Sequence, residues 1–410
     1  MSVVRLNTAA EAADVADRVA RTRTLAPFGP AALAFTKDLS ATVLGDAHVR
    51  GVPEAVALGY WLRPTSARAL AERFATLDAS NALRVPVGTA LHIPPSNVDV
   101  MFVYSWVLSL LCGNRNIVRL SSSRGPVADR LLDVVERVLA GHPAVAETTA
   151  LVEYGHQEEI TRALSARTDL RVIWGGDETV SRIRAIPLPP RAKEVVFADR
   201  RSFAAVAARP FLDLGEAEAQ EIARRLFLDV FLFNQRACSS VRLLAWCGTV
   251  QDTDAASHRM ETLLRAEVER RSVSVDASVA LAKYAFACRT AVDLPVRSAS
   301  WRDARFVLID LGREVPESLG ADHVGGGTLF QLHVDDLSAL EPLVDARVQT
   351  MSQYGFAHDD LAGFVRLLNG KGIDRMVPLG GAMAFSPLWD GYDLLAEFTR
   401  VVMIDAGGLV

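Results

Sequence analysis

Four cysteines stand in the chain, at positions 112, 238, 247 and 288. Cys238 differs from the others: it ends a helix-to-strand connection, lies between Arg236 and Arg242, and is followed by Ser239 and Ser240. A nearby cation favours the thiolate, the form of cysteine that attacks a carbonyl carbon. The alternative reading is a small buried side chain, since cysteine is among the most buried residue types. Cys112, Cys247 in LLAWCG and Cys288 in YAFACR have apolar surroundings and read as core residues. No CxxC pair occurs and no His or Cys stands at zinc-ligand spacing, so no metal is expected.

Other residues could serve a reacting acyl group or a nucleotide. Asn97 ends the segment HIPPSN, where its amide could donate to an oxyanion or could cap a helix beginning at Val98. Gly175 and Gly176 precede Asp177 and Glu178, an arrangement that could bring a pyrophosphate to a helix N-terminus. No GxGxxG accompanies them, and Asp177 reads equally as an N-cap. Arg119, Ser121 and Ser122 could hold an adenosine ribose with its 2′-phosphate, or form a solvated strand end. His92 and His156 lie near strand ends and receive no proton-transfer role, because structural hydrogen bonding is the commoner use of histidine. Trp389 and Asp390, in SPLWDGYDLL, could touch substrate or form a packed turn.

These residues need a scaffold, and the pattern from Leu83 onward supplies one. VPVGTALHI, a helix from Val98, NIVRLSSS, a helix from Pro126, TALVEYG, a helix from Gln157, LRVIWGG, a helix near Glu178, KEVVFAD and FAAVAA alternate strand with helix. Such alternation predicts an α/β fold with a doubly wound parallel sheet, and its ligands belong at the carboxyl ends of the strands. HIPPSN, RLSSS and WGGDE are the loops at those ends. A helix over 215–232, with Ile222, Leu226 and Val230 on one face, then leads into FNQRACSSVR. The expected division is a helical region at 1–82 packed on a cofactor domain at 83–212, a cysteine-bearing α/β domain at 213–380, and a C-terminal segment at 381–410. Within the third region FVLID and LFQLHV read as strands and 338–346 as a helix.

Composition narrows the function classes. The formal charge of -5 is dispersed, without a run of like charges, so no nucleic-acid partner is expected. The first residues lack an apolar signal core, and the most apolar stretch, 98–112, is shorter than a membrane span requires and contains Asp99. A cytoplasmic protein without disulfides or membrane span is the expectation.

In their order along nearly the whole chain, FTKDLS, LGYWLRP, HIPPSN, CGNRNIVRLSSS, VIWGGDE, VVFADRRSF, NQRACSSVR, the VQT at Gln349 and GIDRMVPLGGAMAFSPLWDGYDLL resemble the aldehyde dehydrogenase superfamily. Within it they are most similar to the LuxC-type acyl reductases. The resemblance implies an aldehyde-dehydrogenase-like fold, a catalytic cysteine at Cys238 and an oxyanion-binding asparagine at Asn97. It implies that Pro95 and Ser96 lie by the cofactor, where the superfamily has Ala-Gly. It also puts Arg119 where most members have a lysine near the cofactor ribose, and Gly175, Gly176 and Asp177 near the pyrophosphate. Serines replace the glutamate that many NAD-preferring members carry soon after that lysine, which favours NADPH, with NADH second. Phe197 replaces the glutamate that acts as base in hydrolytic members.

The expected activity is reduction of an acyl-CoA, acyl-carrier-protein or enzyme-bound acyl thioester to an aldehyde. An acyl-activating enzyme or carrier protein is the expected partner, and a homo-oligomer the expected assembly. The alternatives are an aldehyde-oxidising dehydrogenase, a cysteine acyltransferase or thioesterase without redox chemistry, and a silent scaffolding subunit.

Overall fold

The computed structural model describes residues 3–405 apart from 79–80, 96, 123 and 317–322. The chain forms two compact units, one made of residues 1–199 and 385–410 and the other of 200–384.

The first unit begins with β1 (Val4–Arg5) and four helices, α1 (Ala9–Arg21), α2 (Pro30–Gly45), α3 (Pro53–Trp61) and α4 (Pro64–Ala75). Thr8 and Glu11 close a capping box on α1, and prolines open α2, α3 and α4, where the missing N–H removes no helical bond. Then come β2 (Ala82–Pro86), β3 (Thr89–Ile93), α5 (Met101–Leu111), β4 (Arg115–Leu120), α6 (Pro126–Leu139), α7 (Pro143–Glu147) and β5 (Thr149–Glu153). They are followed by α8 (Glu158–Ser165), β6 (Leu170–Trp174), α9 (Asp177–Arg184) and β7 (Lys193–Phe197).

These strands form a parallel sheet in the order β1-β5-β4-β3-β6-β7. From β3 the chain winds one way to β4 and β5 and the other way to β6 and β7. The carboxyl ends of β3 and β6 therefore flank the topological switch point. Gly88 separates β2 from β3 at φ +133, and a Cβ there would lie 2.1 Å from the Asp169 carboxylate. That carboxylate accepts the Thr89 N–H at 2.8 Å, so the backbone must pass close by.

Inside β3, His92 is wholly buried, with Nδ1 2.8 Å from Ser105 Oγ and Nε2 3.1 Å from Asn116 Oδ1. Burial pushes its pKa down to about 4. The depressed value means that the neutral ring's contribution is fully present above the ordinary histidine pKa and is lost as the pH falls toward 4. By pH 5 the loss should reach about 2 kcal/mol. Denaturant midpoints at pH 7 and 5 should thus fall further for the wild type than for His92→Gln; equal slopes would exclude this role.

The second unit opens with β8 (Arg201–Ala207), α10 (Ala208–Leu212) and α11 (Glu216–Phe231), then a short 3-10 turn over Leu232–Gln235. β9 (Val241–Cys247), α12 (Val250–Arg270), α13 (Ala277–Asp293), β10 (Ser298–Asp303), β11 (Phe306–Asp310) and β12 (Thr328–Val334) follow. After a 3-10 segment at Leu337–Leu343 come β13 (Val348–Tyr354), α14 (His358–Leu368) and β14 (Arg375–Pro378). The sheet order is β10-β11-β12-β9-β8-β13-β14, parallel except at β10. Phe211, Leu226, Trp246 and Met260 pack on one face, and Phe286, Phe330, Leu340 and Phe364 on the other.

Two expectations need correction. The strand FAAVAA is β8, and it lies in the middle of the second sheet, paired with β9 and β13, so the chain divides at 199/200 and not at 212/213. The helix expected over 338–346 is a 3-10 segment, since Pro342 cannot donate to an α-helical ladder.

Past residue 384 the chain returns to the first unit as β15 (Leu388–Trp389), β16 (Tyr392–Asp393), α15 (Leu394–Glu397) and β17 (Thr399–Met403), and β17 pairs antiparallel with β2. Among the described residues no helix is long and apolar enough to cross a membrane.

Candidate active site

In the second unit the segment leading to Cys238 has an unusual backbone. Phe233, Asn234 and Gln235 are consecutive left-handed residues, at φ 56, 51 and 59. Opposite them residues 325–327 are three glycines, also left-handed, at φ 71, 61 and 80. The buried Gln235 amide joins the two loops: it donates to the Val241 and Thr328 carbonyls at 2.7 and 2.8 Å and accepts the Gly327 and Thr328 N–H groups at 3.0 and 3.1 Å. Gly326 N–H donates to the Asn234 carbonyl at 3.2 Å. Glycine is required at 327, where a Cβ would come within 2.4 Å of the Phe231 ring. Lys283 is buried beneath this loop, donating to the Gly326 carbonyl and, at 2.7 Å, to that of Ala304; burial pushes its pKa down to about 8.

Cys238 itself sits in a tight turn at the amino end of β9 and is partly exposed. Ser240 N–H donates to the Ala237 carbonyl at 3.0 Å, and the Ser202 hydroxyl donates to the Cys238 carbonyl at 2.8 Å. The next side chain, Ser239, donates to Met383 Sδ at 3.4 Å. Met383 belongs to a loop fixed by Asp229, whose fully buried carboxylate accepts Gly380 N–H at 2.8 Å and Ala382 N–H at 3.0 Å. Burial pushes the Asp229 carboxyl up to about 6. Neither Gln235 nor Asp229 was singled out from the sequence. The available signal was a carboxylate between Leu226 and Val230 on the apolar face of α11.

The other cysteines divide differently from expectation. Cys112 and Cys247 are buried and burial raises both thiols, that of Cys247 to about 12. Cys288 is exposed on α13, because alanine-rich surroundings do not specify which face of a helix is covered.

In the first unit Asn97 is exposed in a bend, and α5 starts only at Met101 without a side-chain cap, so Asn97 caps no helix. Pro95 is partly buried and Ser96 lies outside the described residues. Gly175 N–H donates to the Phe197 carbonyl at 3.0 Å, and Gly176 is the N-cap of α9. Asp177 is its first helical residue, exchanging backbone-to-carboxylate bonds of 3.1 Å with Asp199. Trp174 and Phe197, at the ends of β6 and β7, stack with centroids 3.5 Å apart, and the indole N–H donates to Ser105 Oγ at 3.2 Å. Trp389 and Asp390 form the packed hairpin turn between β15 and β16.

Arg119 lines a groove with about 360 Å³ of free space including its open mouth, together with Tyr154, His156, Thr161 and Arg182. Its guanidinium lies 4.9 Å from the Tyr154 ring centroid and donates to the Gly155 carbonyl at 2.7 Å, while its buried Nε has no partner. Arg119 and Tyr154 at the carboxyl ends of β4 and β5, with Arg182 on α9, bring two guanidinium groups and an aromatic ring to one groove, which fits a phosphorylated adenosine. Ser122 is exposed and Ser121 partly so; the Ser121 carbonyl accepts Arg124 at 2.7 Å. Glu158, which also lines the groove, is paired with Arg162, and Glu153 at the end of β5 is taken up by Arg124 at 2.6 Å and Arg5 at 3.3 Å. Among the described residues no cluster could hold a metal ion.

Residues 66–401 match the model of the acyl-CoA reductase (LuxC) family. The chain belongs to the LuxC family. LuxC relatives include the long-chain acyl-protein thioester reductases of Aliivibrio fischeri, 26% identical over 165 residues, and Vibrio harveyi, 27% identical over 166. Each alignment covers 40% of this chain and 33% of the relative, so the chain matches about a third of the length of these LuxC proteins. Among solved structures, a lactaldehyde dehydrogenase is similar over 98% of this chain and 92% of its own, with a TM-score of 0.65 and 15% identity. Aldehyde dehydrogenase 21 from Physcomitrella patens gives 0.65 and 14%, covering 98% and 90%. The LuxC chain therefore has the aldehyde dehydrogenase fold.

Proposed function

We propose that this protein reduces an activated acyl group to an aldehyde by way of a thioester on Cys238. The observation that carries the reading is the partly exposed Cys238 on an anchored turn, inside the stretch matched by the LuxC family.

Cys238 Sγ attacks the carbonyl carbon of an acyl-CoA, acyl-carrier-protein or enzyme-bound thioester. The Cys238 N–H, and Asn97 in the role that the superfamily resemblance gives it, would donate to the resulting oxyanion; its collapse expels the thiolate of the CoA or carrier and leaves the acyl group on Cys238. The nicotinamide cofactor, when bound, supplies the hydride that takes this thioester to a thiohemiacetal. Cys238 then leaves as the thiolate and the aldehyde departs. Arg119 and Arg182 would hold the adenosine end of the cofactor, and Pro95, Ser121, Ser122, Gly175, Gly176 and Asp177 are the candidates for contacting the rest of it, with Ser96, outside the described residues, assigned by the resemblance alone. NADPH is the preferred form, because Arg119 and Arg182 both line the groove and its carboxylate, Glu158, is paired with Arg162. A cytoplasmic homo-oligomer that receives its acyl group from an activating enzyme or a carrier protein completes the proposal.

The test is cofactor consumption with a panel of acyl thioesters, with the aldehyde identified chemically. Wild type should consume NADPH in step with aldehyde release, and Arg119→Ala should raise the apparent requirement for NADPH more than that for NADH. Equal performance of both cofactors in both proteins would remove Arg119 from the 2′-phosphate site; acyl transfer without cofactor consumption would remove the reductase.

A further inference from the structure

We infer that Gln235 and Ser202 are positioning residues that hold the Cys238 peptide in the geometry its attack requires; the inference rests on Cys238 being the nucleophile.

Left-handed backbone is costly for residues with a Cβ, and here Phe, Asn and Gln adopt it in succession, two residues ahead of the Ala237–Cys238 turn. Such a run persists only where its surroundings dictate it, and Gln235 is what dictates this one. Its amide satisfies two carbonyls and two N–H groups on three strands or loops at once, using both donors and both lone pairs. Truncation would leave all four groups buried and unpaired while removing the tie that opposes relaxation to a right-handed turn.

Ser202 acts from the opposite side. Its Oγ accepts Thr350 N–H at 3.2 Å and donates to the Cys238 carbonyl, so it bridges β13 to the nucleophile. Register shifts on both sides of β8, between Ser202 and Phe203 against β9 and between Val348 and Met351 against it from β13, mark where the hydroxyl fits. With Ala237 and Cys238 carbonyls both bonded, the peptide planes on either side of the Cys238 Cα are fixed. The Cys238 N–H and Cβ then keep a constant relation, so that χ1 alone sets where Sγ stands relative to the oxyanion donor.

Single-turnover acylation of the full chain by an acyl thioester tests this, with the label mapped by mass spectrometry and iodoacetamide alkylation of Cys238 measured beside it. Alkylation needs a thiolate but no oxyanion donor. In Gln235→Ala acylation should slow about 100-fold and in Ser202→Ala about 10-fold, with alkylation, KM and NADPH affinity changed no more than about threefold. Ser202→Thr, which keeps the hydroxyl, should restore most of the rate. If Gln235→Ala does not fold, the Ser202→Ala and Ser202→Thr pair decides alone. Acylation at the wild-type rate in the alanine variants, or parallel losses of acylation and alkylation, would overturn the positioning role while a label on Cys238 upholds the nucleophile. A label on another cysteine would overturn both.

Discussion

Replacing Cys238 by alanine should lower reductase turnover by at least about 10³-fold, the scale on which removal of a covalent nucleophile acts. It should also abolish the acyl adduct in intact-protein mass spectrometry. The informative comparison is with Cys288, the other accessible thiol. An alkylating reagent should label both, because it requires only access and a thiolate. An acyl thioester should label Cys238 alone, since Cys288 lies inside α13, where its N–H is engaged in the helical ladder and cannot donate to an oxyanion. Cys112 and Cys247 should be silent to both reagents in the folded protein, as burial disfavours their thiolates. Substantial activity in Cys238→Ala, or an acyl adduct on Cys288, would remove the proposed mechanism.

A second substitution should change the product. The superfamily resemblance gives Phe197 the position of the glutamate that activates water in hydrolytic members, and an apolar ring there leaves an acyl-enzyme without a general base. Phe197→Glu should therefore divert part of the flux from aldehyde to free acid, and without cofactor the acyl-enzyme should decay at least about tenfold faster, at the low end of general-base effects. Phe197 is 3% exposed and stacked on Trp174, so the change also removes packing, at about 3 kcal/mol or more. Phe197→Leu, which loses the stack but adds no base, separates the two effects. If the leucine variant hydrolyses as fast as the glutamate variant, exclusion of water and not the missing base protects the thioester; if neither differs from wild type, Phe197 protects nothing.

Much of the architecture is legible in the sequence because parallel strands buried on both faces leave short, mainly apolar runs, as TALHI, TALVE, LRVIW and FVLID do. The strand β13 is not legible in that way. Gln349, Thr350 and Ser352 are buried in it, so its polar sequence hides a strand paired on both sides. The boundary between units is illegible for another reason: which neighbour a strand such as β8 takes depends on distant residues, not on its own pattern. For the site, the cysteine and the strand-end loops can be read, because residue type and order carry the resemblance. Gln235, Ser202, Tyr154 and Arg182 cannot, since each acquires its part from partners 6 to 148 positions away or from a groove that exists only once folded.

The discontinuity of the first unit bears on how the chain is made. β2, at residues 82–86, has its partner at 399–403, and Tyr104 donates to the carbonyl of Ser386. During synthesis the second unit, continuous over 200–384, has all its strands before those partners leave the ribosome. The half of the fold that starts first therefore closes last, and until then the ribbon edge of β2 and the aromatic side of α5 wait uncovered for the C-terminal residues.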